Sequence, residues 1–415
     1  ISSNNVSHVD LSGSNLTVSR QVREESTDSL GEMTIPISSV GITSAFFETF
    51  DAERYSVHYS SGQVEDLSSD QFTLNADGTT VTIKGLTQSQ TSNVTVNTTV
   101  KKNGIRNKKK EYSRSNKLTV EKTVSGVSTS ISGLTQNNFY GLRVEDREIS
   151  LNVPDVINVI AVYESYNTSS PTLDSLSFPS GLALDTNSIL GEKIVGRDSK
   201  AVAQIVTRSS STDVEIVYLN SNKFISGEIV DFEESAITST IQSITEGSYQ
   251  NITQKFYLDK GQKEQYYDYS KLVRKNDGYI PSHRLLVIYN SNTVPSTDTG
   301  DVYTVNSYDD ERFTTDIPTL PSGLRASDTL DFRPRVARFS STSSSPFAFA
   351  SRTFGTSGVN PTLVVSPQES SLIGYDFYLP RIDKIALDRF GNFSVIKGAS
   401  SQNPKPPVNV EEAMD

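Results

Sequence analysis

The sequence has no cysteine and no tryptophan, and holds only two methionines and three histidines. Without cysteine there is no disulfide framework, no thiolate zinc site and no cysteine nucleophile. Such a chain suits a cytosol-assembled protein or a particle that must survive outside without depending on redox state. His8, His58 and His283 are too few and too scattered for a histidine-rich metal site. No apolar run approaches the roughly 18 residues of a membrane span, and the residues after Ile1 form no signal-peptide pattern. The chain opens on Ile1 and breaks off in Glu411–Asp415 without a natural stop, so a piece of a longer polypeptide or a processed product is expected.

Hydrophobic residues make up 35% of the 415 positions, below the usual globular share. That composition favours thin β layers over thick cores, and the length allows two to four domains. Recurring β-branched and aromatic runs, with 18 Tyr and 18 Phe, argue against disorder. A formal net charge of −11 argues against general nucleic-acid binding and keeps a large polar assembly component soluble.

The expected fold is mainly β: a multi-domain chain of antiparallel β-sandwich and small β-barrel modules, with extended arms and few short helices. Residues 1–33 are sparse in apolar positions and read as an arm or linker, with room for a short strand at Leu16–Val22. From 34 to 124, runs such as Tyr55–Tyr59, Phe72–Leu74, Thr80–Lys84 and Val94–Val100 alternate with Gly- and Asn-containing turns. That is the signature of a sandwich, similar to an immunoglobulin or fibronectin type III module without the Cys pair and core Trp. Residues 125–185 read as a β segment joining to the main module, with Ile149–Val153 and Val156–Val162 as strands and the latter at a sheet centre. A small barrel-like unit is expected over 186–250, where Gly191-Glu192-Lys193-Ile194-Val195 is echoed by Gly227-Glu228-Ile229-Val230. A further β module follows over 251–400, then a proline-rich exit strap over 401–415.

Lys101–Lys117 carries the one strong charge cluster, with Lys101, Lys102, Arg106, Lys108, Lys109 and Lys110 as candidate partner contacts and Arg114 and Lys117 beyond them, and Asn103-Gly104 suggests a tight hairpin turn there. It reads either as a solvated hairpin whose lysines discourage strand addition or as a contact surface for an acidic protein partner. Only Ile105 and Tyr112 interleave, too few for a nucleic-acid stacking platform.

The motifs of chemistry are missing. No nucleophile elbow, phosphate loop or dinucleotide fingerprint is present. Glu233-Glu234 and Asp309-Asp310-Glu311 are adjacent acids, but glycosidases need carboxyls facing each other across a sugar, and neighbours in a strand point apart. Acidic loops could hold calcium, yet no Asp-x-Asp-x-Asp-Gly loop occurs. No catalytic residue, cofactor or metal is therefore expected. In Asp331–Arg338, Pro334 demands an edge or a bulge. Arg333 and Arg335 then share a face that Asp331 can join, a structural clamp suited to arginine's planar fork.

Three stretches carry a resemblance: FYLDKGQKEQYYDYSKLV, VYTVNSYDDERFTTDIPTLPSGLRASDTLDFRPRV and YLPRIDKIALDRFGNFSVIKGASSQNPKPP. Together with EISLNVPDVINVIAVYES and VEIVYLNSNKFISGEIVDFEES, they resemble a domain of unknown function in phage tail and baseplate proteins. Among such proteins, the stretches resemble the large structural proteins of T4-like cyanophages. The resemblance spans about residues 138–413, with Asp331-Phe332-Arg333-Pro334-Arg335 and Tyr378-Leu379-Pro380-Arg381 as its most specific marks. It implies a non-enzymatic virion role, in the baseplate or the base of a tail fibre, with other virion proteins as partners and several symmetric copies. It brings no catalytic residues with it. The alternatives from other classes are a receptor- or glycan-binding adhesin and, behind it, a tail-associated glycan hydrolase.

Overall fold

The computed structural model describes residues 9–42, 44–121, 140–276, 279–309, 313–341, 344–355, 371–401 and 403–408. Among them the fold is mainly β, in antiparallel sheets, with α-helix confined to single turns such as Leu184–Asn187 and Phe313–Asp316. Three β bodies follow one another in space.

The first body is a sandwich. Its larger sheet runs Ser371–Phe377, Val9–Glu25, Val94–Asn103, Ser56–His58, Val64–Asp66, with Ala45–Phe47 also paired to Val94–Asn103. Met33–Pro36, Thr80–Ile83 and Phe72–Leu74 form the smaller sheet. Both contribute to one core that includes Leu16, Val18, Ile35, Val57, Val81 and Val96.

Two expectations are corrected here. Val9–Glu25 is a 17-residue strand, not an arm. It is hydrogen-bonded to Ser371–Phe377 on one side and to Val94–Asn103 on the other. Only one of its faces is buried, so Leu16, Val18 and Val22, set two or four residues apart, are enough apolar residues to seat it. The far end of the expected 251–400 module likewise lends its strand Ser371–Phe377 to this sheet.

The central body is a pair of sheets. One has the order Gln250–Asn251, Val156–Glu164, Leu285–Thr293, Glu111–Val120; the other Glu148–Pro154, Tyr269–Arg274, Phe256–Asp259. Val120, Ile149, Val162, Leu272 and Val287 are buried between them. The chain crosses from one sheet to the other at Pro154-Asp155, where Asp155 has φ +60.

The third body is a seven-stranded barrel. Its sheet runs Thr238–Thr240, Ile229–Phe232, Lys193–Gly196, Val202–Arg208, Asp213–Tyr218, Asp174–Ser177, Ser243–Thr245. The two edge strands are consecutive in the chain, so one segment pairs with both edges and closes the wall around Ile194, Ile205, Ile216, Phe232 and Ile241.

The two Gly-Glu echoes belong to an internal repeat in this wall. Gly191 and Gly227, both at positive φ, donate to the carbonyls of Ile205 and Ile241. The N–H of Gly196 bonds to Ala201, and that of Phe232 to Ile237. Arg197 donates to Ile229, and Glu233 to Lys193. Every equivalence is an offset of thirty-six residues, as from Gly191 to Gly227. Glu192 and Glu228 are both buried, and each accepts from the N–H three residues before it. Each also holds the turn after the other's strand: Glu192 takes the N–H of Glu234 and Ser235, Glu228 those of Asp198 and Ser199. The barrel is thus two similar hairpins facing each other about a local two-fold.

The barrel rests on the central body through Tyr163, Leu173, Val206, Val217 and Ile288. Ser115 donates to the Ile205 carbonyl at 2.8 Å, and Arg114 pairs with Glu234 at 2.6 Å.

Candidate functional site: a charge network buried between two bodies

The basic run does not make a solvated hairpin. Gly104 turns the chain at φ +66, but the next strand, Glu111–Val120, joins the central body and does not return along Val94–Asn103. The stretch between threads the junction beside residues 300–307. Arg106 accepts through its carbonyl from Asp301, Lys108 donates to Val302, and Lys110 donates to Ser307. Gly300 permits this approach: a Cβ there would lie 2.5 Å from the Asn107 carbonyl oxygen and the Lys108 nitrogen.

Alternate lysines of the run therefore point inward. Lys102, Lys108 and Lys110 are buried. Lys102 Nζ lies 2.6 Å from Asp301, and Lys108 Nζ 3.2 Å from Asp298. Arg106 and Lys109 are exposed, and their backbone N–H groups donate to the same two aspartates. Lys101 is half-buried, 3.8 Å from Glu48. Of the six residues expected to offer a common partner-contact surface, four instead pair with acids of their own chain, three of them buried.

Lys110 is the centre of the junction. Its three ammonium protons meet three acceptors: Asp155 Oδ2 at 2.9 Å and the hydroxyls of Tyr267 at 3.2 Å and Tyr308 at 3.0 Å. The rings of Tyr267, Tyr303 and Tyr308 stand 4.6, 4.9 and 4.6 Å from it, a cage that adds cation–π attraction.

The clamp residues complete the network. Arg333 forks onto Asp331, Nε to Oδ1 at 2.9 Å and Nη2 to Oδ2 at 2.7 Å. Tyr267 donates to Asp331 as well. Arg335 does not join that pair; it reaches Asp155 at 2.7 Å and the Asn292 carbonyl at 2.8 Å. All five charged groups are buried.

Their electrostatics follow from that burial. Loss of water lowers the Lys110 pKa, and Asp155 only partly offsets it. Burial alone would raise Asp155, but the charges of Lys110 and Arg335 outweigh it and hold the carboxyl below its ordinary range. Burial, then the Asp331 charge, pushes the Tyr267 hydroxyl far up; burial and Asp155 do the same to Tyr308.

Every charged group of this arrangement is paired with another within the chain. Among the described residues no group of three or more His, Asp or Glu side chains is placed to hold a metal. His58 shares hydrogen bonds with Ser56 and Asn97, and His283 lies 3.9 Å from Glu164. His8, Asp310 and Glu311 lie outside the described residues. Of the adjacent acids, Glu234 is engaged by Arg114. No helix among the described residues is long and apolar enough to cross a membrane.

Next to the network a cleft of about 500 Å³ opens, lined among others by Tyr289, Ser291, Asn292, Thr293, Arg335 and Arg338 and, among the described residues, by no carboxylate. The Asn292 amide nitrogen is buried there with no acceptor among the described residues.

The chain matches no protein-family model, no curated protein and no solved structure.

Asp155, Tyr267, Asp298, Asp301 and Tyr308 were missed by sequence reasoning. Their contacts with the basic run span up to 199 positions, and no local spacing announces them. The one available signal was stoichiometric: a lysine-rich run in an acidic chain has acids to meet.

Proposed function

We propose that this chain is a non-enzymatic structural component of a bacteriophage contractile tail, in the baseplate or at the base of a tail fibre. It holds neighbouring virion proteins together through rigid β bodies and an exposed C-terminal arm, and several copies act in symmetric array. The observation that carries this reading is the fate of the titratable groups. The charge cluster around Lys110 is buried, and each member is paired with another. A catalytic cluster needs an unfilled position within hydrogen-bond reach of its acid or base. The resemblance of residues 138–413 to tail and baseplate proteins supplies the setting. A reconstruction of the intact particle tests the proposal: density for this chain among tail proteins is expected, and its absence from purified particles would overturn it.

A second reading, a glycan-binding module, rests on the cleft beside Arg335. Hydroxyl and amide side chains, among them Ser291, Thr293 and Asn292, with apolar walls suit a sugar. Binding of a defined glycan to the purified chain, lost in Asn292→Ala, would favour it over a purely structural role.

A further inference from the structure

The C-terminal arm presents an apolar sheet face to solvent. Lys384–Leu387 and Phe393–Ile396 form a separate two-stranded sheet, paired Ile385 to Val395 and Leu387 to Phe393. Cross-strand partners and residues two apart share a face, so these four side chains stand together. Ile385 is 69% exposed, Val395 60% and Phe393 77%. The opposite face is partly covered: Ala386 and Pro404 are buried, Gly398 donates to Asp383 and Ser401 to the Pro380 carbonyl. An isolated two-stranded sheet is marginal in water, and a contiguous apolar patch with a polar rim marks a contact site.

Charge indicates what covers it. The described residues of the arm, 378–401 and 403–408, carry Arg381, Lys384, Arg389, Lys397 and Lys405 against Asp383 and Asp388, a net +3 ahead of Glu411, Glu412 and Asp415 in a chain of net −11. Between Val9 and Asn103 the sandwich carries twelve acids against six bases, a net −6. Several of those acids are exposed, among them Glu24, Asp28, Asp51, Glu53, Asp66 and Asp70. Packing two arms face to face would oppose +3 with +3. Packing the arm of one copy on the sandwich of the next opposes +3 with −6. We propose that the hairpin Lys384–Ile396 docks its apolar face on the acidic sandwich of a second copy of this chain. The contact is head-to-tail, so copies link into a ring or an extended array, whichever the rotation allows. This deepens the assembly reading and rests on it for its setting, but its test needs no virus particle.

The test is sedimentation velocity on the full chain across a concentration series, at low and high salt. Association that tightens as salt falls is expected. Phe393→Asp and Arg389→Glu should each weaken it by about tenfold or more while leaving the circular dichroism spectrum unchanged. In a mixture of nitrogen-14 and nitrogen-15 chains, a zero-length carboxyl–amine cross-linker should join Lys384 or Lys397 of one copy to sandwich carboxylates of another. A chain that stays monomeric throughout would overturn the inference, as would association untouched by Phe393→Asp. Association strengthened by Arg389→Glu would point to arm-on-arm packing and also overturn it. Each of these failures leaves the tail-component reading to its own test in the particle.

Discussion

The junction around Lys110 and the hairpin around Phe393 invert the usual placement of side chains. At the junction five charged groups are buried where apolar residues ordinarily sit. On the hairpin, Ile385, Phe393 and Val395 face water. The difference lies in whether partners are supplied by the same chain. Lys110 has its three acceptors within the fold, so its contacts are complete. The hairpin face has none among the described residues. A buried ionic network adds little net stability over an apolar core, but it is intolerant of losing one member. An exposed apolar face is the reverse: its residues can be changed without harm to the fold.

That contrast orders the predictions. Asp155→Ala should have the largest effect, because it strands Lys110 and Arg335 without their shared anion. A loss of about 3–5 kcal/mol is expected in urea unfolding; a loss below about 1 kcal/mol would mean water reaches the site. Gly300→Ala comes next, at about 1–3 kcal/mol, since the added methyl meets the backbone of Asn107 and Lys108. Phe393→Asp should change stability by less than about 0.5 kcal/mol, as for exposed sites generally. If Phe393→Asp unfolded the chain, the contrast between the two regions would fail.

Titration gives a further test. Asp155 and Asp298 have lowered pKa values in the fold, so their contribution is present above the ordinary aspartate value of 3.8 and lost as pH falls through the folded values. On the alkaline side, Tyr267, Tyr303 and Tyr308 are raised, and Tyr163 is pushed up to about 12. Their stabilisation is complete below the ordinary tyrosine value of 10.0 and is lost as pH climbs through the folded values. Lys108 and Lys110 act in the opposite sense: being lowered, they favour the fold more as pH rises toward 10.5. Tyrosinate absorbance should therefore rise in two steps, exposed residues first and buried ones together with loss of the β spectrum. One step centred near pH 10 would contradict the burial of the cage.

Much of the fold is legible in the sequence. Phe72–Leu74 is observed as read, and Thr80–Lys84 and Ile149–Val153 are off by a residue or so at their ends. Dense β-branched runs bounded by turn residues leave few alternatives there. Val9–Glu25 was obscured because its inward positions are diluted by Ser, Thr, Asn and Arg, which a half-exposed strand accepts. The Gly-Glu echoes were visible, but their partnership across the barrel required the register of Ile194 on Phe232. Of the clamp, the Asp331–Arg333 pair lies two residues apart and is readable locally. The pairing of Arg335 with Asp155, 180 positions away, is a property of the folded junction alone.

A double-mutant cycle on Asp155→Asn and Lys110→Met in urea tests the central claim, that the junction is held by mutually dependent charges. The five-charge cluster carries net +1; Asp155→Asn alone leaves +2, and adding Lys110→Met returns it to +1. The double variant is therefore expected to be more stable than Asp155→Asn alone, with a coupling of about 1–3 kcal/mol. Simple addition of the two losses would show that the charges act independently and would contradict the account.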